Sequence, residues 1–344
     1  MAAQKPMVSV YIVSGKKAKR AACRALRRGA EKHTLADGRH SMTDDRQARI
    51  TEANARLKEI LLRHVPRPAV LPGPVDGVFL VRREAVNCSE SCFTRPLASL
   101  IVQGGKRAVL GSRAYTIRAD QCLVAAVDMP SLSHAVDPTP ERPFLSLFFH
   151  LDRQMLGELL MEMTPEERAA GVDDSGVSVA DADPDLMEGV LRLAELLDKP
   201  RQIAVRAPLI MRELHYLLLA GPQGGILRGL YAHGARNGQI LQAIALMRRN
   251  MTRPLRMDAL ARQVCMSVSS LHRHFKSITG LSPLQYHKQL RLYEAQRLML
   301  VENERAASAA LSVGYESVTQ FTREYKRMFG ESPHRDISRR RCPA

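Results

Sequence analysis

The chain has 344 residues, 45% of them hydrophobic and 25% charged, with 51 basic against 35 acidic side chains and a formal charge of +16 at pH 7. That length exceeds what one hydrophobic core usually organises, and the composition excludes a fibrous or wholly disordered chain. The charge excludes an acidic tail and points to an anionic partner, nucleic acid or a membrane surface.

The excess charge sits at the two ends. Residues 1–41 carry ten basic and two acidic side chains, residues 42–252 carry 25 of each, and residues 253–344 carry 16 basic and eight acidic. No stretch reaches the roughly 18 consecutive apolar residues of a membrane span. At the N-terminus the apolar MVSVYIVSG precedes KKAKR, the reverse of a secretory signal, so a cytoplasmic location is expected. Cys23, Cys88, Cys92, Cys122, Cys265 and Cys342 show no Cys-x-x-Cys or zinc-finger spacing and read as free thiols of a reducing compartment.

Residues 1–41 lack a sustained apolar period and read either as a disordered basic arm or as sequence upstream of a start at Met42. From Met42, apolar residues at Ile50, Leu57, Ile60, Leu61 and Val65 predict an amphipathic helix. PRPAVLPGP (66–74) predicts a stiff linker, so 42–70 is read as helix plus Pro-rich linker. Between Val75 and Leu151, short apolar runs such as LASLIVQ, CLVAAV and FLSLFFHL alternate with turn residues. They predict strands of a small antiparallel sandwich or barrel. Helical periodicity follows at Asp152–Met163, Pro184–Leu197 and Ala207–Leu219, and AGPQGG (220–225) breaks it. A linker is expected over 226–238, helices from Gln239 onward, and a basic tail over 338–344.

The C-terminal third contains a repeat. SVSSLHRHFKSITGLSP (267–283) and SVTQFTREYKRMFGESP (317–333) match at an offset of 50, with seven identities including Ser267/Ser317, Arg273/Arg323, Lys276/Lys326 and Gly280/Gly330. In each copy the serine can cap a helix, and an apolar stripe follows at 268, 271, 275 and 278, or at 318, 321, 325 and 328. A glycine and Ser-Pro then end the helix. A short helix precedes each copy (MDALARQV and AASAALSV), which makes two helix-turn-helix patterns. The outward stripes are Ser269, His272, Arg273 and Lys276 in the first copy and Thr319, Thr322, Arg323 and Lys326 in the second. Such donor-rich, basic stripes suit base edges and phosphates of double-stranded DNA. Residues 284–301 predict a long helix that would hold the two recognition helices in grooves about one helical turn apart, roughly 34 Å.

Residues 239–337 resemble the DNA-binding domain of the AraC/XylS family of bacterial transcription regulators. The marks are LARQVCMSVSSLHRHFKSITGLSPLQYHKQLRLYEAQRLML and AALSVGYESVTQFTREYKRMFGESP. Residues 71–225 resemble the N-terminal domain of one AraC subgroup, through RPLASLIVQGGKRAVLGSRAYTIRADQCLVAAVDMPSLSHAV and APLIMRELHYLLLAGPQG. The resemblance implies an α+β chain of two domains: a cupin-like β-barrel with helices, for effector binding and dimerisation, and an all-α double helix-turn-helix domain. It places base contacts at Ser269, His272 and Arg273, and at Val318, Thr319, Gln320 and Arg323. Val318 stands where the family is often polar, and Cys265 where it commonly has glycine.

The resemblance also implies RNA polymerase, a small-molecule effector and a second copy of the chain as partners. Metal-dependent cupins cluster histidines and a glutamate, whereas this β-region offers only His134 and His150. No catalytic residue, metal site or cofactor is therefore expected, and an effector site is not legible. The leading expectation is a regulator, an activator in the family's usual mode. The alternatives are a cupin-type enzyme tethered to DNA and a non-specific architectural DNA-binding protein.

Overall fold

A computed structural model describes residues 12–13, 40–73, 75–85, 89–171, 173–232 and 237–341. Most of the expected basic arm, together with Cys23, Cys88 and Cys342, lies outside these residues. Within the arm, strand β1 (Ile12–Val13) pairs with β4 (Ser89–Thr94), which departs from a wholly disordered segment.

Helix α1 (His40–His64) buries Ile50, Ala53, Leu57, Ile60 and Leu61 against strands β3 (Val78–Arg83) and β5 (Leu97–Gln103). Its other side runs parallel to α4 (Pro184–Glu195). There Arg46 pairs with Asp183, Arg49 with Asp185 and Glu188, Arg56 with Glu195, and Arg63 with Asp198. Exposed pairs contribute at most about 1 kcal/mol each, whereas each buried aliphatic side chain contributes about 1.5–3 kcal/mol. The apolar face therefore holds α1 in place, and the arginines set its register.

The expected linker after α1 is partly a strand. β2 (Ala69–Pro72) pairs antiparallel with β3, from Ala69 opposite Arg82 to Pro72 opposite Phe79. It is an edge strand, where a proline leaves no ladder bond unmade. The remaining strands are β6 (Gly105–Leu110), β7 (Arg113–Arg118), β8 (Gln121–Ala125), β9 (Met129–Val136), β10 (Phe144–His150) and β11 (Val177–Asp181). They form two antiparallel sheets, ordered β1-β4-β9-β6-β7 and β11-β8-β5-β10-β3-β2. β7 of the first sheet touches β5 and β8 of the second. β5 is buried from Ala98 to Gln103, and α1 covers the second sheet. That double cover explains why this strand reads as an unbroken apolar run instead of an alternation.

Asp152 caps α2 (Arg153–Glu162), and Thr164 and Glu167 form a reciprocal capping box on α3 (Pro165–Ala169). Helix α5 (Ile203–Ala220) follows α4. The expected linker over 226–238 is in part α6 (Gly224–Tyr231), which buries Ile226, Leu227 and Leu230. Glycines and a proline mask its apolar face in the sequence. No helix among the described residues is long and apolar enough to cross a membrane.

The C-terminal helices are α7 (Gly238–Arg249), α8 (Met257–Gln263), α9 (Val268–Thr279), α10 (Pro283–Val301), α11 (Ala306–Ser312), α12 (Val318–Phe329) and α13 (Pro333–Arg341). The last helix takes in residues 338–341 of the expected basic tail. Arg339 and Arg340 both pair at 2.9 Å with the buried Asp336, so these cations are structural.

Two cores result. Leu260, Leu271, Phe275, Ile278 and Tyr286 belong to one continuous core with the sheets. Leu292, Ala295, Ala309, Phe321, Tyr325 and Phe329 form a separate one. The first helix-turn-helix unit is thus fused to the β-domain, and the second stands on its own packing.

Candidate nucleic-acid interface

Each recognition helix begins and ends as its sequence dictates. Ser267 Oγ accepts the Ser270 N–H and Ser317 Oγ accepts the Gln320 N–H, both at 3.2 Å. Gly280 (φ 74°) and Gly330 (φ 85°) close the helices in the left-handed conformation, and their N–H groups donate to the Lys276 and Lys326 carbonyls at 2.9 Å. Helix α10 restarts on a capping box of Ser282 and Gln285.

The inward stripe is buried at Leu271, Phe275 and Ile278 and at Phe321 and Tyr325. The outer members differ from expectation. Val268 and Val318 are 40% and 38% exposed, and Phe329 is buried beside a half-buried Met328. Both valines occupy the first helical position, beside the turn, a location that 3–4 spacing cannot distinguish from the core. Val318 consequently lies on the outward side with the expected base contacts.

Ser269, Arg273, Lys276, Val318, Thr319, Gln320, Arg323 and Lys326 are exposed, and His272 and Thr322 are half-buried. Thr322 Oγ1 donates to the Val318 carbonyl at 2.9 Å, which leaves its lone pairs to face outward. Ser269 Oγ lies 3.2 Å from Ser267 Oγ. Among the described residues Arg273, Lys276, Arg323 and Lys326 meet no carboxylate, while Arg46, Arg49, Arg56 and Arg63 of α1 and Arg339 and Arg340 of α13 are paired. Cations left on equivalent faces of two capped helices can neutralise phosphates or donate to guanine.

Helix α10 fixes both units. Near its start Tyr286 meets Phe275 edge-on at 5.2 Å, and further along Tyr293 meets Phe329 at 5.3 Å. Gln296 Nε2 then donates to Tyr325 Oη at 3.0 Å and to Asp336 at 2.8 Å. Tyr325 donates to the same carboxylate at 2.7 Å, and burial together with that anion pushes its phenol up.

The β-domain grips the first unit and the connecting helix α10. Tyr286 Oη donates to the Asp128 carbonyl at 2.9 Å, and Ser112 Oγ donates to the Gly280 carbonyl at 2.7 Å. Tyr293 and Ser91 hydroxyls lie 2.8 Å apart. At Gly111 a Cβ would lie 1.9 Å from the Thr279 carbonyl oxygen, so the β6–β7 turn approaches α9 as only glycine allows. Glu324 was not among the expected site residues, yet it bonds Gln320 one helical turn earlier. The i, i+4 spacing of an amide and a carboxylate is the signal that could have found it.

His134 in β9 and His150 in β10 belong to different sheets. His150 Nδ1 lies 3.3 Å from the Pro96 carbonyl, and burial holds its pKa below the usual imidazole range. No group of three His, Cys, Asp or Glu side chains among the described residues could hold a metal ion.

Residues 74–226 match the sequence profile of the AraC-type transcriptional regulator N-terminus, and residues 260–339 match that of a helix-turn-helix domain. The HTH-type transcriptional regulator ArgR of Pseudomonas aeruginosa is 33% identical over 108 residues, 31% of this chain and 33% of that protein. The virulence regulon transcriptional activator VirF of Yersinia enterocolitica is 23% identical over 262 residues, 75% of this chain and 87% of that protein. Among solved structures, unsaturated fatty acid bound wild-type ToxT from Vibrio cholerae strain SCE256 superposes with a TM-score of 0.51. The identity is 11%, over 76% of this chain and 94% of that one, which shows a shared fold. With two helix-turn-helix units on one connecting helix behind an AraC-type N-terminal domain, the chain belongs to the AraC/XylS family of DNA-binding transcription regulators.

Proposed function

We propose that the chain activates transcription by contacting promoter DNA through Ser269, His272, Arg273 and Lys276 of α9 and Val318, Thr319, Gln320, Thr322, Arg323 and Lys326 of α12. The observation that carries this reading is the pair of equivalent helix faces whose cations meet no carboxylate. Activation draws support from a relative named as a transcriptional activator, and RNA polymerase is the partner this reading adds. In this reading the chain acts in the cytoplasm as a regulator and catalyses no reaction. An effector acting through the β-domain draws support from the fatty acid held by ToxT. Homodimer formation is supported by α5, which exposes Val205, Leu209 and Tyr216 by 70%, 66% and 42% on one face. Selection from randomised duplexes, followed by footprinting on a selected sequence, tests the reading. A discrete protected site is expected, with loss of protection on doubling Arg273→Ala with Arg323→Ala. A uniform ladder without protection contradicts it.

A further inference from the structure

The Glu324 carboxylate lies at the centre of a three-way junction on α12. Lys288 of α10 places its Nζ 2.6 Å from Oε1, and Tyr315 Oη donates to Oε2 at 2.8 Å. Gln320 Nε2 donates to Oε1 in a long bond of 3.4 Å. The Glu324 side chain is 14% exposed, whereas Gln320 faces solvent among the residues assigned to DNA. Burial raises the Glu324 pKa, but the bonds from Lys288, Tyr315 and Gln320 outweigh it and hold the group below the usual carboxylate range.

An ionised carboxylate only accepts hydrogen bonds. Gln320 must therefore turn its amino group towards Glu324, which fixes an amide whose two ends are otherwise interchangeable. One N–H of Nε2 is used on Glu324. The other N–H and the carbonyl Oε1 remain, and this donor–acceptor pair matches N7 and the N6 amino group of adenine in the major groove.

We infer that Glu324, braced by Lys288 and Tyr315, is a positioning residue that presets Gln320 to read an adenine. The inference rests on the reading of Gln320 as a base contact. The junction is not a requirement of the repeat, because α9 has Ser270 and His274 at the equivalent positions and still forms the same capped helix. It belongs to the second unit and gives the two units different readouts.

The test is selection from a randomised pool of duplexes by the full chain and its variants, followed by sequencing. The wild-type chain should prefer adenine at one position by roughly tenfold, the discrimination expected of a bidentate amide. Gln320→Ala should abolish the preference there and nowhere else. Glu324→Gln keeps an acceptor for Tyr315 but lets the amide turn, and should cut the preference to about threefold or less while other positions are unchanged.

If Gln320→Ala loses the adenine and Glu324→Gln retains it in full, the positioning role is overturned while the base contact stands. If Gln320→Ala changes nothing, the base contact falls and the inference with it. Equal loss on every sequence by Glu324→Gln assigns Glu324 to structure alone and also overturns the inference. Should Glu324→Gln fail to fold, Lys288→Met at the exposed end of the junction is read in its place, and an undiminished adenine preference there overturns the assignment.

Discussion

Arg248 of α7, the helix ahead of the first helix-turn-helix unit, and Asp128, in the β8–β9 connection, form an ion pair. The Asp128 side chain is 4% exposed, and Arg153 of α2 takes its second oxygen. A buried carboxylate held by two cations from separate helices costs most when its charge is removed, because both arginines lose their common anchor, while the Tyr286 bond to the Asp128 backbone carbonyl is left in place. Asp128→Asn is expected to lower stability by about 2–4 kcal/mol. Arg248→Met leaves the Arg153 pair intact and should cost less, about 1 kcal/mol. Urea denaturation orders the two variants, and a smaller loss for Asp128→Asn contradicts the anchor.

Arg273 and Arg323 occupy equivalent positions, and the kind of loss on truncation separates base reading from phosphate binding. Arg273→Ala should cost about 1–3 kcal/mol on the preferred duplex and relax choice at one base pair. Lys276→Ala should weaken binding to all sequences alike and lower the slope of log affinity against log salt by about 1. Titrations of a selected and a scrambled duplex at several salt concentrations measure both. A uniform loss for Arg273→Ala would move it to the phosphate class.

Two buried histidines make stability depend on pH. His215 Nε2 accepts the Asp152 N–H at 2.9 Å and Nδ1 faces the Met211 carbonyl at 2.7 Å, an arrangement only the neutral ring satisfies. Burial holds its pKa below the usual range. For His287, burial and the neighbouring Arg291 lower it to about 4. In the unfolded chain both rings titrate near pH 6.5, at about the usual imidazole value. Below that pH the unfolded chain binds protons that the folded chain does not. The stability is therefore complete above about pH 6.5 and is lost as the pH falls towards the folded values, by at most about 1.4 kcal/mol per pH unit for each group. Denaturation midpoints at pH 7, 6 and 5 should fall in that order. His287→Gln should flatten the decline, and an unchanged slope removes His287 as its source.

The repeat made the DNA-binding half legible, because capping serines, terminating glycines and an apolar period of three to four are local properties of Ser267–Pro283 and Ser317–Pro333. Other features depended on distant partners. β2 was hidden by its prolines, since only pairing with β3 makes an edge strand of Ala69–Pro72. α6 was hidden by Gly224 and Gly225, and its apolar face has meaning only against the elements it packs on. Val268 and Val318 shared the apolar period yet face solvent, because periodicity does not say where a helix leaves its neighbour. Asp128 and Glu324 carried no signal as single residues. Their roles come from Arg248, 120 residues away, and from Lys288 on another helix.

The two helix-turn-helix turns solve one backbone problem with different residues. After α8, Cys265 adopts φ 54°, and the Met266 N–H reaches back to the Ala261 carbonyl at 2.9 Å. After α11, Gly314 adopts φ 86°, and the Tyr315 N–H reaches the Ala310 carbonyl at 2.9 Å. The left-handed conformation costs a residue with a Cβ about 1–2 kcal/mol, and glycine gives part of that back through its freer unfolded state. Cys265 is exposed, so Cys265→Gly should stabilise the chain by about 0.5–1 kcal/mol. The reverse change is not symmetrical. A Cβ on Gly314 would lie 2.1 Å from the Thr252 backbone oxygen, a contact that only backbone movement relieves. Gly314→Ala should therefore cost about 2 kcal/mol or more and weaken DNA binding through a displaced α12. Thermal unfolding of both variants reads the difference, and a Gly314→Ala chain as stable as the parent would show that the second turn tolerates a side chain as the first does.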